Sequence, residues 1–125
     1  MKIAIIGHGN VGGALARSWA TAGHHVLIGA REVQDEKAQS LASYQNINVH
    51  SIPEAVSAAE VILVATPPHI VASLIEDWGD TEAKVIIDAT NSVGKKPEPY
   101  PTAYHAFREL TTAKVVKCFN STSFE

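Results

Sequence analysis

The chain has 125 residues, a formal net charge of −3, 46% hydrophobic residues and 18% charged residues. These values predict one globular domain with a single core, and they give no support to a disordered chain or to nucleic acid and membrane partners. No apolar run approaches the ~20 residues of a membrane span, no signal-peptide pattern is present and Cys118 is the single cysteine, so we predict a cytoplasmic protein without an internal disulfide.

Short β-rich runs alternate with helical patterns along the chain. Six strands are predicted, at residues 3–6, 26–28, 47–50, 61–65, 84–88 and 114–118. Helices are predicted between them at residues 11–22, 33–44, 54–59, 69–78 and 104–110, with a proline-rich loop at 94–101. This alternation indicates an α/β fold, a doubly wound six-stranded parallel sheet of the Rossmann type with the expected order 3-2-1-4-5-6. Residues 1–125 are predicted to form one dinucleotide-binding domain.

Apolar side chains at helical spacing predict which helix faces pack on the sheet. In the second helix this face includes Leu41 and Tyr44, and in the fourth it reaches Trp78. In the last helix it includes Phe107 and Leu110.

The first strand runs directly into a glycine turn. The turn consists of Gly7, His8, Gly9, Asn10, Val11 and Gly12. Gly7 allows a tight turn, Gly9 lets a pyrophosphate approach the backbone, and Gly12 lets the next helix pack close to the strand. Because the turn follows a strand and opens a helix, the pattern predicts a dinucleotide site, with a glycine-rich turn without ligand as the alternative.

The second strand ends in Ala30 and Arg31, where proteins that select the unphosphorylated cofactor usually carry an acid. A guanidinium can instead make a bidentate contact to a 2′-phosphate, so the sequence predicts NADP(H) over NAD(H). Lys37 is either a second cation for this phosphate or a helix-surface charge. The alternative for Arg31 is a solvated loop cation paired with Glu32.

Polar residues follow the fourth and fifth strands, at the sheet edge where ligands bind in open parallel sheets. Ala65, Thr66 and Pro67 are predicted to lie along the ribose and nicotinamide of the cofactor. His69 is a candidate acid or base, or simply a residue at a helix start. The amide of Asn91 suits the nicotinamide side of the site.

Other kinds of chemistry find no support in the sequence. The six histidines show no metal-ligand spacing, and there is no Ser-His-Asp elbow or paired-carboxylate site. Cys118 is predicted to be a buried structural thiol, since Val116 and Phe119 flank it. Asp88 is predicted to cap or brace neighbouring backbone. We therefore assign no catalytic side chain and no metal.

Five motifs together resemble the NADP-dependent oxidoreductases that use the 8-hydroxy-5-deazaflavin coenzyme, coenzyme F420. The motifs are Ile6–Gly12, Gly29–Arg31, Ala65–Pro67, Asp88–Asn91 and Val116–Asn120. The cytosolic domain of the membrane ferric reductases looks similar. The resemblance implies hydride transfer between NADPH and a flavin or deazaflavin acceptor. It also implies that the glycine turn binds the pyrophosphate and Arg31 the 2′-phosphate, with Thr66, Pro67 and Asn91 at the ribose and nicotinamide.

On the acceptor side, the resemblance implies roles for Asn120 and Ser121, and His69 is a further candidate there. The family continues past Asn120 with helical structure that helps to build the acceptor site and the dimer, and we expect this helical part to be absent here. Since Phe119 and Phe124 would then be exposed, we expect a homodimer through the carboxyl-terminal segment.

Two other functions stay open. The first is a non-catalytic NADP(H)-binding module, or a half-site that needs a partner. The second is an imine or carbonyl reductase, which needs a proton donor near the nicotinamide. For that role the sequence offers Tyr100, Lys95 and His69.

Overall fold

A computed structural model gives the protein an open sheet flanked by helices. It describes residues 1–7, 9–66, 70–76, 78–79, 81, 83–90 and 103–117, with the backbone alone at residues 10, 11, 72 and 103–105. The predicted loop at 94–101 and the thiol of Cys118 lie outside the described residues.

Six strands and five helices alternate in the described part of the chain. The strands are β1 (Lys2–Ile6), β2 (His25–Ala30), β3 (Ile47–Ser51), β4 (Val61–Val64), β5 (Val85–Asp88) and β6 (Lys114–Lys117). The helices are α1 (Asn10–Thr21), α2 (Glu36–Leu41), α3 (Ile52–Ala58), α4 (Val71–Ile75) and α5 (Ala103–Leu110). All strand pairs are parallel in the order β3-β2-β1-β4-β5-β6. The predicted fold class and strand order are confirmed.

The sheet separates two apolar cores, and the central strand β1 contributes to both. Ala4 and Ile6 pack with residues of α3, α4 and α5 on one face. Ile3 and Ile5 pack with residues of α1 and α2 on the other face. Because side chains alternate along a strand, a strand covered on both faces must be apolar at every position. This is why the run after Lys2 contains no polar residue before the glycine turn.

The second helix is shorter than predicted. Asp35 is its N-cap, and the Asp35 Oδ2 atom accepts a hydrogen bond from Ala38 N at 3.0 Å. Ala38 and Leu41 are buried, but Tyr44 lies beyond the helix and is 50% exposed. The predicted bounds of 33–44 were too wide, because the Asp35 cap fixes the start of a helix of only six residues.

The third helix begins before its predicted start, because Ser51 and Glu54 form a capping box. Glu54 N donates to Ser51 Oγ at 3.3 Å, and Ser51 N donates to Glu54 Oε1 at 3.2 Å. Pro53 occupies the first turn, where its missing N–H costs no hydrogen bond. The cap places Ser51 at the carboxyl end of β3, at the sheet edge where ligands bind.

The fourth helix, predicted over 69–78, ends at Ile75, and Trp78 beyond it contacts Phe107 of α5. Their rings stack with centroids 6.1 Å apart, and both side chains are buried. Leu110, which shares the predicted apolar helix face with Phe107, is 42% exposed. Leu110 is the last residue of α5 and lies beside β6, which is the edge strand of the sheet. It is exposed because, in the described chain, no further strand lies beyond β6 to cover it.

Candidate functional site

A cleft of about 350 Å³ opens at the carboxyl end of the central strands. Its lining comes from the glycine turn after β1, the end of β2 with the following loop, and the apolar side of α4. The lining residues are Ile6, Gly7, Gly9, Gly29, Ala30, Arg31, Glu32, Asp35, Lys37, Ile52, Thr66, Ile70 and Leu74. This position and a volume within the range of about 300–1,000 Å³ are typical of ligand sites in α/β sheets.

Two glycines of the turn are required by the packing around them. Gly7 has a φ of +99°, and a Cβ there would lie 2.8 Å from the carbonyl carbon and oxygen of Ala65. A Cβ at Gly12 would clash with the carbonyl oxygen of Gly7 and lie 3.2 Å from Ile5 Cγ2. Gly7 therefore packs against the residue after β4, and the start of α1 packs against Gly7 and β1, with no room for a side chain at either glycine.

The third glycine, Gly9, has open space instead. A Cβ built at Gly9 would meet no atom within 4 Å. Gly9 is the N-cap of α1, a helix of 12 residues with no acidic residue in its first turn. Its carbonyl accepts the first helical hydrogen bond, from Gly13 N at 2.8 Å. The first-turn N–H groups of such a helix favour a negatively charged ligand beside Gly9.

Cationic and acidic side chains line the same cleft. Arg31 is exposed just past the end of β2, and Lys37 lies in the first turn of α2. Among the described residues, no carboxylate oxygen lies within 4.0 Å of the Arg31 guanidinium, so the alternative ion pair with Glu32 does not form there. Arg31 thus borders the cleft, and its guanidinium forms no ion pair with a carboxylate of the described residues.

The strand ends place some of the other predicted residues. Ala65 N donates to the carbonyl of Ile6 at 2.8 Å, and Thr66 lines the cleft across from Gly7. Six predicted site residues lie outside the described residues: His8, Pro67, His69, Asn91, Asn120 and Ser121. At Asn10 and Val11 only the backbone is described, as the first turn of α1.

Asp88 is fully buried at the carboxyl end of β5. Its Oδ1 accepts hydrogen bonds from Thr90 N at 2.9 Å and from Thr90 Oγ1 at 2.6 Å, and so braces the backbone after the strand. Its Oδ2 has no hydrogen-bond partner among the described residues and lies 3.9 Å from Lys117 Nζ. Lys117 pairs with Asp88 in the register of β5 and β6, so adjacent strand ends hold opposite charges.

Sequence reasoning missed the apolar wall of the cleft and a second cavity beside it. Ile52, Ile70 and Leu74 line the cleft, but in the sequence they look like any core-facing residue. The second cavity, of about 320 Å³, is called here the serine cavity. It is lined by Ala30, Arg31, Ser51, Ile52, Pro53, Ser73 and Leu74.

Local signals for two missed residues were present. The Ser51-x-x-Glu54 capping box marks the end of β3, and Asp35 before a helical run marks an N-cap. No local signal shows that Asp35 also lines the cleft, since that depends on how α2 packs.

Two kinds of feature are absent from the part of the chain that the structure describes. No group of three or more His, Cys, Asp or Glu side chains is arranged to hold a metal ion there. No helix in those ranges has the length and apolarity to cross a membrane.

Known proteins share this architecture over much of the chain. Ketol-acid reductoisomerase (NADP(+)) from Bifidobacterium animalis subsp. lactis is 38% identical over 66 residues, which are 53% of this chain and 18% of that protein. The crystal structure of a candidate F420-dependent NADP-reductase from Arthrobacter sp. FB24 superposes with a TM-score of 0.77 at 26% identity, covering 94% of this chain and 61% of that one. An imine reductase from Streptomyces aurantiacus shares the fold, with a TM-score of 0.73 at 18% identity over 94% of this chain and 40% of its own.

The chain spans less than two thirds of the length of each of these proteins. Its residues 2–92 match the family described as NADP oxidoreductase coenzyme F420-dependent. The resemblance predicted from the five motifs is thereby confirmed. Because this match covers well over half of the chain, the protein belongs to the coenzyme F420-dependent NADP oxidoreductase family.

Proposed function

We propose that the cleft binds NADP(H), with the pyrophosphate at the glycine turn and the 2′-phosphate at Arg31. The observation that carries this proposal is a single cleft that runs from Gly9, with its open space, to Arg31 and Lys37. Helical N–H groups suit the pyrophosphate, and a guanidinium suits the 2′-phosphate through charge-assisted, bidentate contacts. The family to which the chain belongs supports NADP(H) as the cofactor.

We further propose that the domain serves hydride transfer between NADPH and a flavin or deazaflavin acceptor. The nicotinamide supplies the hydride, and such a transfer needs alignment and exclusion of water rather than an acid–base pair. The register of Asp88 with Lys117 brings the ends of β5 and β6 to one sheet edge. Asn91 and Asn120 follow these strands, which supports their roles beside the nicotinamide and the acceptor. The family description supports a deazaflavin.

A cofactor-binding module without catalysis of its own is the second candidate. The observation that favours it is that the family match ends at residue 92, before the proposed acceptor residues Asn120 and Ser121. The domain would then bind NADP(H) through the same cleft and depend on a partner for the acceptor.

Titration calorimetry with NADPH and NADH tests the cofactor. Arg31→Ala should weaken NADPH binding about 10- to 150-fold, because it removes a charge-assisted hydrogen bond worth about 1.5–3 kcal/mol, and it should leave NADH binding nearly unchanged. Arg17→Ala is the matched control, since Arg17 is also an exposed arginine but lies on α1 away from the cleft. Equal losses for the two cofactors would refute the role of Arg31.

Steady-state oxidation of NADPH with flavin and deazaflavin acceptors separates the two candidate functions. The oxidoreductase proposal expects turnover with at least one of these acceptors. Tight NADPH binding without turnover would favour the module. Turnover only with imines or carbonyls would instead favour a reductase of that class.

A further inference from the structure

A buried charged network ties together the ends of the last two strands. Asp88 at the end of β5 is 0% exposed, and Thr90, two residues further on, is 4% exposed. Asp88 Oδ1 accepts hydrogen bonds from Thr90 N at 2.9 Å and from Thr90 Oγ1 at 2.6 Å. Lys117 Nζ, at the end of β6, lies 3.9 Å from Asp88 Oδ2. We call Thr90, Asp88 and Lys117 the Asp88 network, in which each carboxylate oxygen faces a donor from a different segment.

The network fixes the backbone that leaves the sheet after β5. Ala89 N donates to the carbonyl of Val64 at 2.9 Å, so residue 89 is still tied to β4. Thr90 is tied back to Asp88 through both its N–H and its hydroxyl group. Asn91 is the next residue in the sequence. The residue proposed to lie beside the nicotinamide thus follows directly on a hydrogen-bonded backbone.

Bracing this turn does not by itself require a charge. The side-chain oxygen of an asparagine could accept the same two bonds from Thr90. Burying a carboxylate is unfavourable unless it is paired and hydrogen-bonded, and the neighbours of Asp88 on this face of the sheet, Ile86 and Val64, are apolar. A charged and fully buried group is therefore better explained by a site that needs one fixed backbone position.

The network lies where the nicotinamide half of the cofactor would extend. In the proposed pose the 2′-phosphate is at the end of β2 and the pyrophosphate at the turn after β1, and the serine cavity also lies on the side of β2. The rest of the dinucleotide then extends along the sheet edge toward β4 and β5. Val64 pairs with Asp88 in the register of these strands, so the network begins one strand spacing, about 5 Å, beyond the strand that leads to Thr66 of the cleft.

We propose that the Asp88 network positions the nicotinamide ring of bound NADP(H), and that it acts through Asn91. This inference rests on the proposed function, since it needs the cofactor in the cleft. Lys117 fixes the carboxylate of Asp88, Asp88 fixes Thr90, and Thr90 fixes the backbone before Asn91. The three are positioning residues, because they act through Asn91 and not by contact with the cofactor. Loss of the network should therefore disorder the ring without releasing the cofactor.

The test measures the fluorescence lifetime of the nicotinamide in bound NADPH, together with the Kd of NADPH. A reduced nicotinamide that is held in one position emits for longer than the mobile ring of free NADPH, so the measurement needs no acceptor and no turnover. Thr90→Val keeps the N–H and the shape of the side chain but removes the hydroxyl, and it should shift the lifetime of bound NADPH toward that of free NADPH. The Kd should stay within about threefold, because the proposed phosphate contacts are unchanged. Thr90→Ser keeps the hydroxyl and should keep the wild-type lifetime.

Thr111→Val is the matched control for the loss of a threonine hydroxyl. Thr111 Oγ1 donates to the carbonyl of Phe107 at 2.7 Å, and Thr111 precedes β6, at the opposite edge of the sheet. This variant should keep the wild-type lifetime.

A second variant covers the case in which Thr90→Val does not fold. Lys117→Met leaves both bonds of Thr90 in place and removes the cation from Asp88 Oδ2. It should shift the lifetime in the same direction as Thr90→Val, whereas Lys114→Met, at the exposed start of the same strand, should not.

A double variant tests the route through Asn91. Asn91→Ala alone should shift the lifetime as Thr90→Val does, and adding Thr90→Val to Asn91→Ala should shift it little further, because the two changes act on the same contact. In turnover with a flavin or deazaflavin acceptor, Thr90→Val should lower kcat about 10- to 100-fold and change the KM for NADPH less than about threefold, because the reacting rings lose their alignment.

The outcomes separate this inference from the cofactor proposal. A wild-type lifetime in Thr90→Val, an equal shift in Thr111→Val, or a wild-type lifetime equal to that of free NADPH overturns the positioning role. Additive shifts in the double variant overturn the route through Asn91. If Arg31→Ala still weakens NADPH binding in any of these cases, the cofactor proposal stands. Failure of the wild type to bind NADPH overturns both proposals.

Discussion

Single alanine substitutions at two glycines of the turn should separate folding from ligand binding. A Cβ at Gly12 would clash with the carbonyl oxygen of Gly7 and lie 3.2 Å from Ile5 Cγ2. Because the first of these contacts is with backbone, no side-chain rotation relieves it, and α1 must move away from β1. A Cβ at Gly9 would meet nothing within 4 Å, and Gly9 has a φ of −78°, which any residue adopts.

These geometries set the expected magnitudes. Gly12→Ala should lower the free energy of unfolding by about 1–3 kcal/mol, the cost of overpacking, and the Tm by roughly 4–12 °C for a chain of this size. Gly9→Ala changes only an N-cap and should cost less than about 1 kcal/mol. It should nevertheless weaken NADPH binding at least about tenfold, because the new methyl group takes the space proposed for the pyrophosphate.

Thermal melts of both variants and NADPH titration of Gly9→Ala, each against the wild type, are the assays. Equal losses of stability in the two variants would refute the packing argument. Wild-type affinity in Gly9→Ala would refute the proposed position of the pyrophosphate. The thermal melts should show that the Tm of Gly9→Ala stays within a few degrees of the wild-type Tm, so that a loss of NADPH binding reports on the site and not on folding.

Three further predictions concern stability and association. Lys117→Met should lower the free energy of unfolding by about 1–3 kcal/mol, because it leaves the buried Asp88 carboxylate without its cation. Lys114→Met, at the exposed start of the same strand, is the control and should change the free energy of unfolding little. Urea unfolding measures the free energy of unfolding of both variants, and their m-values should equal that of the wild type. Phe107→Ala should cost about 3–5 kcal/mol in the same assay, since the ring is fully buried; a loss below 1 kcal/mol contradicts its place in the core. We also propose a homodimer through the carboxyl-terminal segment. Light scattering should give a dimer for the intact chain and a monomer after truncation beyond Cys118. Monomers in both cases at high protein concentration would contradict the proposed dimer.

Patterns that depend on neighbouring residues were readable from the sequence alone. The alternation of β-rich runs and helical patterns gave the elements, and the right-handed crossover of parallel strands then leaves few possible orders. The glycine turn was also readable, because Gly7, Gly9 and Gly12 act within one short segment next to β1. Element ends were less certain, since Asp35 and Ser51 decide where two helices start by single hydrogen bonds.

Only the tertiary structure decided which distant residues share a space. Leu74 comes from α4, Ile52 from α3 and Arg31 from the end of β2, and their meeting at one cleft depends on the packing of three elements against the sheet. The ion pair of Asp88 with Lys117 likewise depends on the register of β5 with β6, which no local pattern records. A sequence specifies each element through short-range periodicity and caps, whereas the composition of a cavity follows from long-range packing, in which residues far apart in the chain become neighbours.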